Sequence, residues 1–312
     1  MTVPPPVRYL VLFVTGACNL RCRYCYAAGA APDGPMPFSV ASRALELAAS
    51  SGKRFHVQLT GGEPTLAPSA VEAIVSYVRR RQMAATIGLQ TNGTLLDDTL
   101  LALVIRHRVD VGLSIDGIES VHNAARGLFK ETLRGLAMLE EREIPCQVTA
   151  VVTEESAPHL DKLALLLAGF PNVRGLGLDL LVRRGNALSS GISPVSPAVF
   201  EKAVASLRLA VAFVNANRSV PLTVRELHRT DAASVMGCHA AAGASLAVLP
   251  DGRLFPCSQT AGDPAFALGD LSSGVGIGRR RLVAGPDCPS RTYYNRGSNL
   301  PLCRLLLSER MS

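Results

Sequence analysis

The sequence predicts an α/β fold: a parallel barrel or partial barrel of six β/α units, followed by a small cysteine-rich C-terminal domain. Three observations carry this. Apolar strand-length runs alternate with helices of period 3.6 as far as about residue 195, the pattern of a parallel sheet covered by helices. Helical periodicity then disappears from about residue 236, where short strand and turn signals take over. The eight cysteines fall into an early group (18, 22 and 25), a lone Cys146 and a late group (238, 257, 288 and 303).

Taken in order, YLVLFVT (9–15) reads as a buried strand, its apolar run bounded by prolines and Gly16 and too short for the core of a signal peptide. A helix is expected over 39–50, a strand over 55–60 and a helix over 68–81. The same alternation continues with strand 86–92, helix 97–108, strand 109–116 and helix 130–142. Strands 146–153 and 173–182 flank a helix at 159–169, and a long helix spans about 197–216. In such a fold, chemistry sits in the loops after the carboxyl ends of the strands. GASLAVLPDGRLFPC reads as a hairpin turning at Pro250-Asp251-Gly252. The expected division is a barrel over 1–195, a connecting helix and linker over 196–235, and a second domain over 236–312. So small a domain suggests a metal staple in place of a full core.

Composition narrows the function classes. With 312 residues and 48% apolar content the chain builds a real core, and no run of about 18 apolar residues offers a membrane span. No export signal is seen, so a cytoplasmic protein is expected, and in a reducing compartment clustered cysteines favour metal ligation over disulfides. The net charge of +7 comes from scattered arginines, dense at 79–81, 183–184 and 279–281. No basic run is interleaved with stacking aromatics, so these read as solvated faces, with no nucleic-acid partner expected.

CNLRCRYC places Cys18, Cys22 and Cys25 in the loop directly after the first strand. Three thiolates are too few to close a structural zinc site and do not pair into disulfides. A [4Fe–4S] cube explains the odd count, because three cysteines leave one iron open to a non-protein ligand; an incomplete zinc site and coincidence are the competing readings. After the second strand comes Gly61-Gly62-Glu63-Pro64, where glycines admit close backbone approach and Glu63 can accept from an ammonium.

CNLRCRYC resembles the Cys-x3-Cys-x2-Cys signature of the radical S-adenosylmethionine (SAM) superfamily, with the usual aromatic, Tyr24, before the third cysteine. The resemblance implies a partial (β/α)6 TIM-like barrel whose cluster binds SAM and generates a 5′-deoxyadenosyl radical. It implies that the loop of Gly61, Gly62, Glu63 and Pro64 holds the SAM amino group, and that Ser114 and Asp116 of SIDG lie near its ribose and carboxylate. HNAARG (122–127) resembles an element of the peptide- and sulfatase-maturing branch, with Asn123 where aspartate is usual and Arg126 retained. Gln90-Thr91-Asn92-Gly93 fits the same branch or is a plain turn; Arg184 either reaches the SAM carboxylate or is a rim arginine.

GCHAAAGASLAVLPDGRLFPC is similar to the opening of the SPASM and twitch domains, which implies a second, auxiliary [4Fe–4S] cluster on Cys238, Cys257, Cys288 and Cys303. Four cysteines suit the one-cluster twitch version better than a full SPASM domain. Cys146 reads as a small buried apolar residue, and His239 and the Tyr293-Tyr294 pair as packing rather than ligation or substrate contact.

These phrases lean toward modification of a ribosomally made peptide or protein by oxidation, cross-linking or epimerisation. A small-molecule dehydrogenase or biosynthetic enzyme is the alternative, and a non-catalytic iron–sulfur or zinc-binding protein the rival from a different class. In sulfatase-maturing relatives an aspartate follows the cysteine of the Pro-Cys return; here Ser258 stands there, so deprotonation of a serine or cysteine substrate would need another residue, such as Asp263 or Asp270, or would not occur, and formylglycine formation is disfavoured. A flavodoxin- or ferredoxin-type electron donor is expected. With the first strand starting near residue 8, a leader peptide is expected to use a separate recognition protein or the barrel's own surface.

Overall fold

The structure, a computed structural model, describes residues 6–225, 239, 240 and 242–271. Six strands form the parallel core: β1 (Tyr9–Thr15), β2 (Phe55–Gly61), β3 (Ala85–Thr91), β4 (Asp110–Ser114), β5 (Cys146–Val152) and β6 (Val173–Leu180). They pair in chain order, each parallel to the next. Helices α1 (Phe38–Ala49), α2 (Pro68–Arg80), α3 (Asp98–His107), α5 (Phe129–Glu141), α6 (Leu160–Leu167) and α7 (Pro197–Asn215) alternate with them, and a short α4 (Glu119–Ala125) precedes α5. This is the expected partial barrel. Its ends are extended by β7 (Thr223–Arg225) alongside β6 and by β8 (Ser245–Val248), β9 (Arg253–Phe255) and β10 (Gly269–Asp270) alongside β1, in the order β10-β9-β8-β1-β2-β3-β4-β5-β6-β7.

Two features differ from the sequence expectation. The hairpin turns as predicted, β8 antiparallel to β9, yet β8 also pairs in parallel with β1 through Tyr9↔Ser245 to Leu12↔Val248, so this part of the C-terminal segment continues the barrel's sheet. Val11 and Phe13 gain a second apolar layer from Ala247, Leu249, Phe255 and Ala261, which is why β1 is apolar on both faces. Elsewhere the strands are less uniformly apolar than a fully buried parallel sheet: β2 and β5 alternate buried and half-buried positions. Val57, Leu59, Val148, Ala150 and Val152 face the helices, while Gln58, Thr60, Thr149 and Val151 face an internal cavity. A ligand-holding barrel needs polar inner positions, and period-2 alternation follows.

The inner face repeats one packing device. Gln58 lies beside Gly88, Gln90 beside Gly112 and Gln147 beside Gly175 in the strand register. A Cβ on those glycines would stand 2.9, 2.4 and 2.6 Å from the respective glutamine Oε1. Each glutamine therefore lies over the neighbouring strand's bare backbone, leaving the barrel's centre open.

Helix α5 is fixed at the loop after β3 by Gly135, whose Cβ replacement would stand 2.1 Å from the Gly93 carbonyl oxygen. In an exposed helix interior, Gly→Ala stabilises by about 1 kcal/mol. Here we expect the opposite sign: Gly135→Ala should destabilise by roughly 2 kcal/mol through backbone displacement, read as a lowered midpoint in urea unfolding.

Candidate active site at the carboxyl ends of the strands

Cys18, Cys22 and Cys25 line one cavity of about 290 Å³ at the carboxyl ends of the strands. Their loop is internally braced: the Cys25 N–H donates to the Cys22 carbonyl at 3.2 Å, the Arg23 N–H to the Ala125 carbonyl at 2.9 Å, and the Leu20 N–H to Cys18 Sγ at 3.4 Å. Burial pushes the Cys22 thiol up to about 11, against the pull of Arg126, and raises Cys18 as well. Both are protonated at neutral pH without a metal, so metal uptake releases protons. Among the described residues no three such side chains converge on a single-ion site. The donor set fits a cube instead, in which each thiolate binds a different iron.

The loop after β2 presses against the end of β1. The Gly62 N–H donates to the Thr15 carbonyl at 2.8 Å and the Glu63 N–H to the Ala17 carbonyl at 2.8 Å. Gly61 sits at φ +141°, and a Cβ there would stand 2.2 Å from the Thr15 carbonyl oxygen, so only glycine fits. Glu63 is buried and accepts four hydrogen bonds: Oε1 from the Thr65 N–H (3.1 Å), Thr65 Oγ1 (2.7 Å) and Thr91 Oγ1 (2.7 Å), and Oε2 from the Asn92 N–H (2.7 Å). Burial raises its pKa while these donors oppose the rise. A carboxylate has about four acceptor directions, so Glu63 mainly ties the second loop to the third, with spare capacity on Oε2. Pro64 opens the short 3₁₀ turn that Glu63 caps. Asn92 links onward: its Nδ2 donates to Asn19 Oδ1 at 2.9 Å, and Asn19 Nδ2 to Thr94 Oγ1 at 2.8 Å, joining the cysteine loop to the end of β3.

Ser114 lines the cavity and accepts from Gln90 Nε2 at 3.0 Å. Asp116 is oriented otherwise than the sequence suggests. Its buried carboxylate accepts from the Tyr24 hydroxyl, from Arg126 Nε at 2.9 Å and from the Val151 N–H at 2.9 Å, and it is not among the cavity-lining residues. It reaches the site through Arg126, which lines the cavity and stacks 5.1 Å over the Tyr24 ring. Burial alone would lower the Arg126 pKa, but Asp116, Tyr24 and Cys22 together hold it above its ordinary value, so the guanidinium stays charged beside the cysteines. Asn123 accepts from the Phe129 N–H at 3.0 Å and caps the start of α5.

The opposite wall comprises Tyr26, Asp179, Leu180, Val182, Cys257 and Ser258. Tyr26 hydrogen-bonds Ser258, and its phenol is raised chiefly by burial. Arg184 turns away from the cavity: its guanidinium donates to the carbonyls of Gln259 and of Ala261 (3.4 Å) and lies 3.7 Å from Asp263, so the reach toward a SAM carboxylate does not hold. Of the late cysteines Cys257 is on the wall; Cys238, Cys288 and Cys303, like Tyr293 and Tyr294, lie outside the described residues. Sequence reading missed Asp179, Tyr26 and Gln58. The period-2 polar positions within the apolar strands point to Gln58 and Asp179, whereas Tyr26 lies in a loop with no such signal.

Half of the chain, residues 12–167, matches the family described as the Radical SAM superfamily, and the chain belongs to that superfamily. The cofactors are accordingly a [4Fe–4S] cluster and SAM. The chain is 28% identical over 207 residues to the serine-type anaerobic sulfatase-maturating enzyme of Klebsiella pneumoniae, covering 60% of this chain and 51% of that enzyme. It is 32% identical over 182 residues to an uncharacterized protein of Methanocaldococcus jannaschii, covering 56% of this chain and 63% of that one. The chain thus spans less than two thirds of these relatives' lengths. Among solved structures, anSMEcpe with bound AdoMet superposes with TM-score 0.70 at 22% identity over 86% of this chain and 78% of its own. Streptococcus suis SuiB bound to precursor peptide SuiA gives 0.69 at 13% over 96% and 71%. At these identities the likeness is one of fold.

Two outcomes follow from the Asp116 region. Asp116→Asn leaves Arg126 buried with a weakened partner and should cost about 3–5 kcal/mol in denaturant unfolding, with impaired iron retention. His122, fully buried with Nδ1 accepting from the Asp116 N–H at 3.4 Å, is pulled by burial to about 4. The unfolded state, titrating near 6.5, takes up its proton first, so stability falls as pH drops from about 6.5 to 4. Wild type should lose up to about 3 kcal/mol more than His122→Leu across that window, compared by urea unfolding at each pH.

Proposed function

We propose that this chain is an enzyme that cleaves SAM reductively and removes a hydrogen atom from a carbon of a peptide or protein substrate. The observation that carries the reading is the convergence of the three cysteines, the Gly61–Glu63 loop, Ser114 and Arg126 on one cavity at the strands' carboxyl ends. Cys18, Cys22 and Cys25 would hold the cluster, and the Gly61 and Gly62 backbone with Ser114 would take the polar groups of SAM. Arg126, kept charged by Asp116, offers a guanidinium to its carboxylate. When bound, the cluster supplies the electron that splits the sulfonium into methionine and a 5′-deoxyadenosyl radical. The barrel wall and the Cys257 segment exclude water, so that the radical meets substrate alone.

A peptide substrate is supported by the sulfatase-maturating relatives and by a cavity rich in amides and hydroxyls, from Gln58, Gln90, Ser114 and Thr149, which suit backbone recognition. Cys257 on the far wall, with Cys238, Cys288 and Cys303 later or earlier in the chain, supports an auxiliary cluster there. Ser258 follows Cys257, and Asp263 is spent on capping the Ala265 N–H at 3.0 Å and on Arg184. Asp263 is therefore poorly placed as a base, which favours another oxidation, cross-linking or epimerisation over formylglycine formation. A flavodoxin- or ferredoxin-type protein would supply electrons, and a separate protein would present any leader peptide.

Anaerobically reconstituted protein, given SAM and dithionite, should release 5′-deoxyadenosine; the triple variant Cys18→Ala/Cys22→Ala/Cys25→Ala should release none. About four irons should survive in the variant from about eight in wild type, each [4Fe–4S] cube counting four. A reconstituted wild type that leaves SAM intact overturns the reading, and loss of all iron in the variant overturns the auxiliary cluster.

A further inference from the structure

After β6 the chain does not run straight to α7. Leu181 to Ile192 cross the rim between two segments that are distant in sequence: the cysteine loop and the segment after Cys257. On the first side, the Asn186 N–H donates to the Cys25 carbonyl at 3.0 Å and Asn186 Nδ2 to the Cys22 carbonyl at 2.9 Å. Both carbonyls belong to cysteines that face the cavity. Gly185 makes this approach feasible: at φ +54°, its Cβ would stand 2.2 Å from the Cys25 carbonyl oxygen, so no side chain fits. Leu181, Ala187 and Ile192 bury against Leu20, Cys22 and Tyr24 in a small apolar cluster separate from the main core.

On the other side, Arg184 grips the Gln259 and Ala261 carbonyls and stands 3.7 Å from Asp263. Those carbonyls follow Cys257, whose own carbonyl accepts from the Thr260 N–H at 3.1 Å and Thr260 Oγ1 at 2.8 Å. Only Gly185 separates the two grips, so they move together. A loop needing only local stability has no reason to spend a forked guanidinium on one neighbour and an amide side chain on another.

We propose that Arg184 and Asn186 are positioning residues of a strap that fixes the cysteine loop against the Cys257 segment and closes the β6 side of the cavity. The strap acts through main-chain carbonyls and touches neither SAM nor substrate. Its role rests on the reading of this cavity as the SAM site. Cutting either grip frees both walls, so damage at the Arg184 end must be felt at the cysteines, which Arg184 does not touch.

Two readouts test this on the full chain. In metal-free protein, hydrogen–deuterium exchange at residues 18–26 should quicken about tenfold in Arg184→Met and in Asn186→Ala, equivalent to a cooperative opening made easier by about 1.4 kcal/mol. In reconstituted protein, the same variants should load iron as wild type does but lose it to a ferrous chelator about tenfold faster, with an altered electron paramagnetic resonance response to SAM. The double variant should be no worse than either single, because the sites share one element. Arg184→Lys, keeping charge but not the fork, should fall between and guards against a variant that does not fold. Unchanged exchange at 18–26 in Arg184→Met overturns the strap, as does an effect confined to Asn186→Ala, which would make Asn186 a local cap. A wild type that takes up no cluster defeats the SAM-site reading instead, and the exchange result still decides the strap.

Discussion

The site depends on one buried carboxylate. Asp116, at the end of β4, joins Tyr24 of the cysteine loop, Arg126 after α4 and the Val151 amide of β5. Taking a carboxylate and a guanidinium out of water costs several kcal/mol per ion, recovered only if the geometry satisfies both. Here the carboxylate is satisfied by three donors, while Arg126 is held through Nε alone, with side-chain exposures of 0% for Asp116 and 10% for Arg126. The pair is weak evidence for net stability. Its value is placement: with three elements converging on two oxygens, neither the cysteine loop nor Arg126 shifts without leaving a buried charge unpaired. Glu63 does the same on the opposite flank, uncharged partners replacing the arginine, so it binds loops together without fixing another charge.

Much of this was legible in the sequence, and what was not has a physical reason. The three cysteines, the Gly61–Pro64 loop and Ser114 were readable because each is a short motif in the loop or at the end of a strand that periodicity had already located. The six core strands and their helices followed from apolar patterning. α4 was missed because its seven residues give a periodic signal too little length, and β7 and β10 are shorter still. The pairing of β8 with β1 was invisible for a different reason. It is a long-range parallel contact, and apolar content alone does not say which sheet a hairpin joins.

Arg184 shows how tertiary structure separates the two readings of a rim arginine. Sequence placed it after the sixth strand, where a cofactor's carboxylate was a reasonable partner. The backbone settled the matter: Gly185 in the left-handed region turns the chain so that Asn186 faces the cysteine loop, while the side chain before it is directed to the Gln259 carbonyl. Asp116 differs in another way. It does not line the cavity itself, and its carboxylate is turned to the Arg126 guanidinium, which does. In both cases the residue type announced a charge, and only tertiary structure said what the charge was for.

The inner face of the barrel carries the same lesson into recognition. Three glutamines lying over three glycines hold amide groups flat against the sheet, where a fully apolar barrel would fill its centre with branched side chains. A cavity remains because the glycines give up volume, and it is polar in part because two of these glutamines, Gln58 and Gln90, line it. Radical chemistry asks for a water-poor space, whereas a polar substrate asks for hydrogen-bond partners within that space. Amides reconcile the two, since they offer donors and acceptors without the hydration that a charged group retains. The ionisable groups Glu63, Arg126 and Asp179 line the same cavity, so charge is present there beside the amides of Gln58 and Gln90.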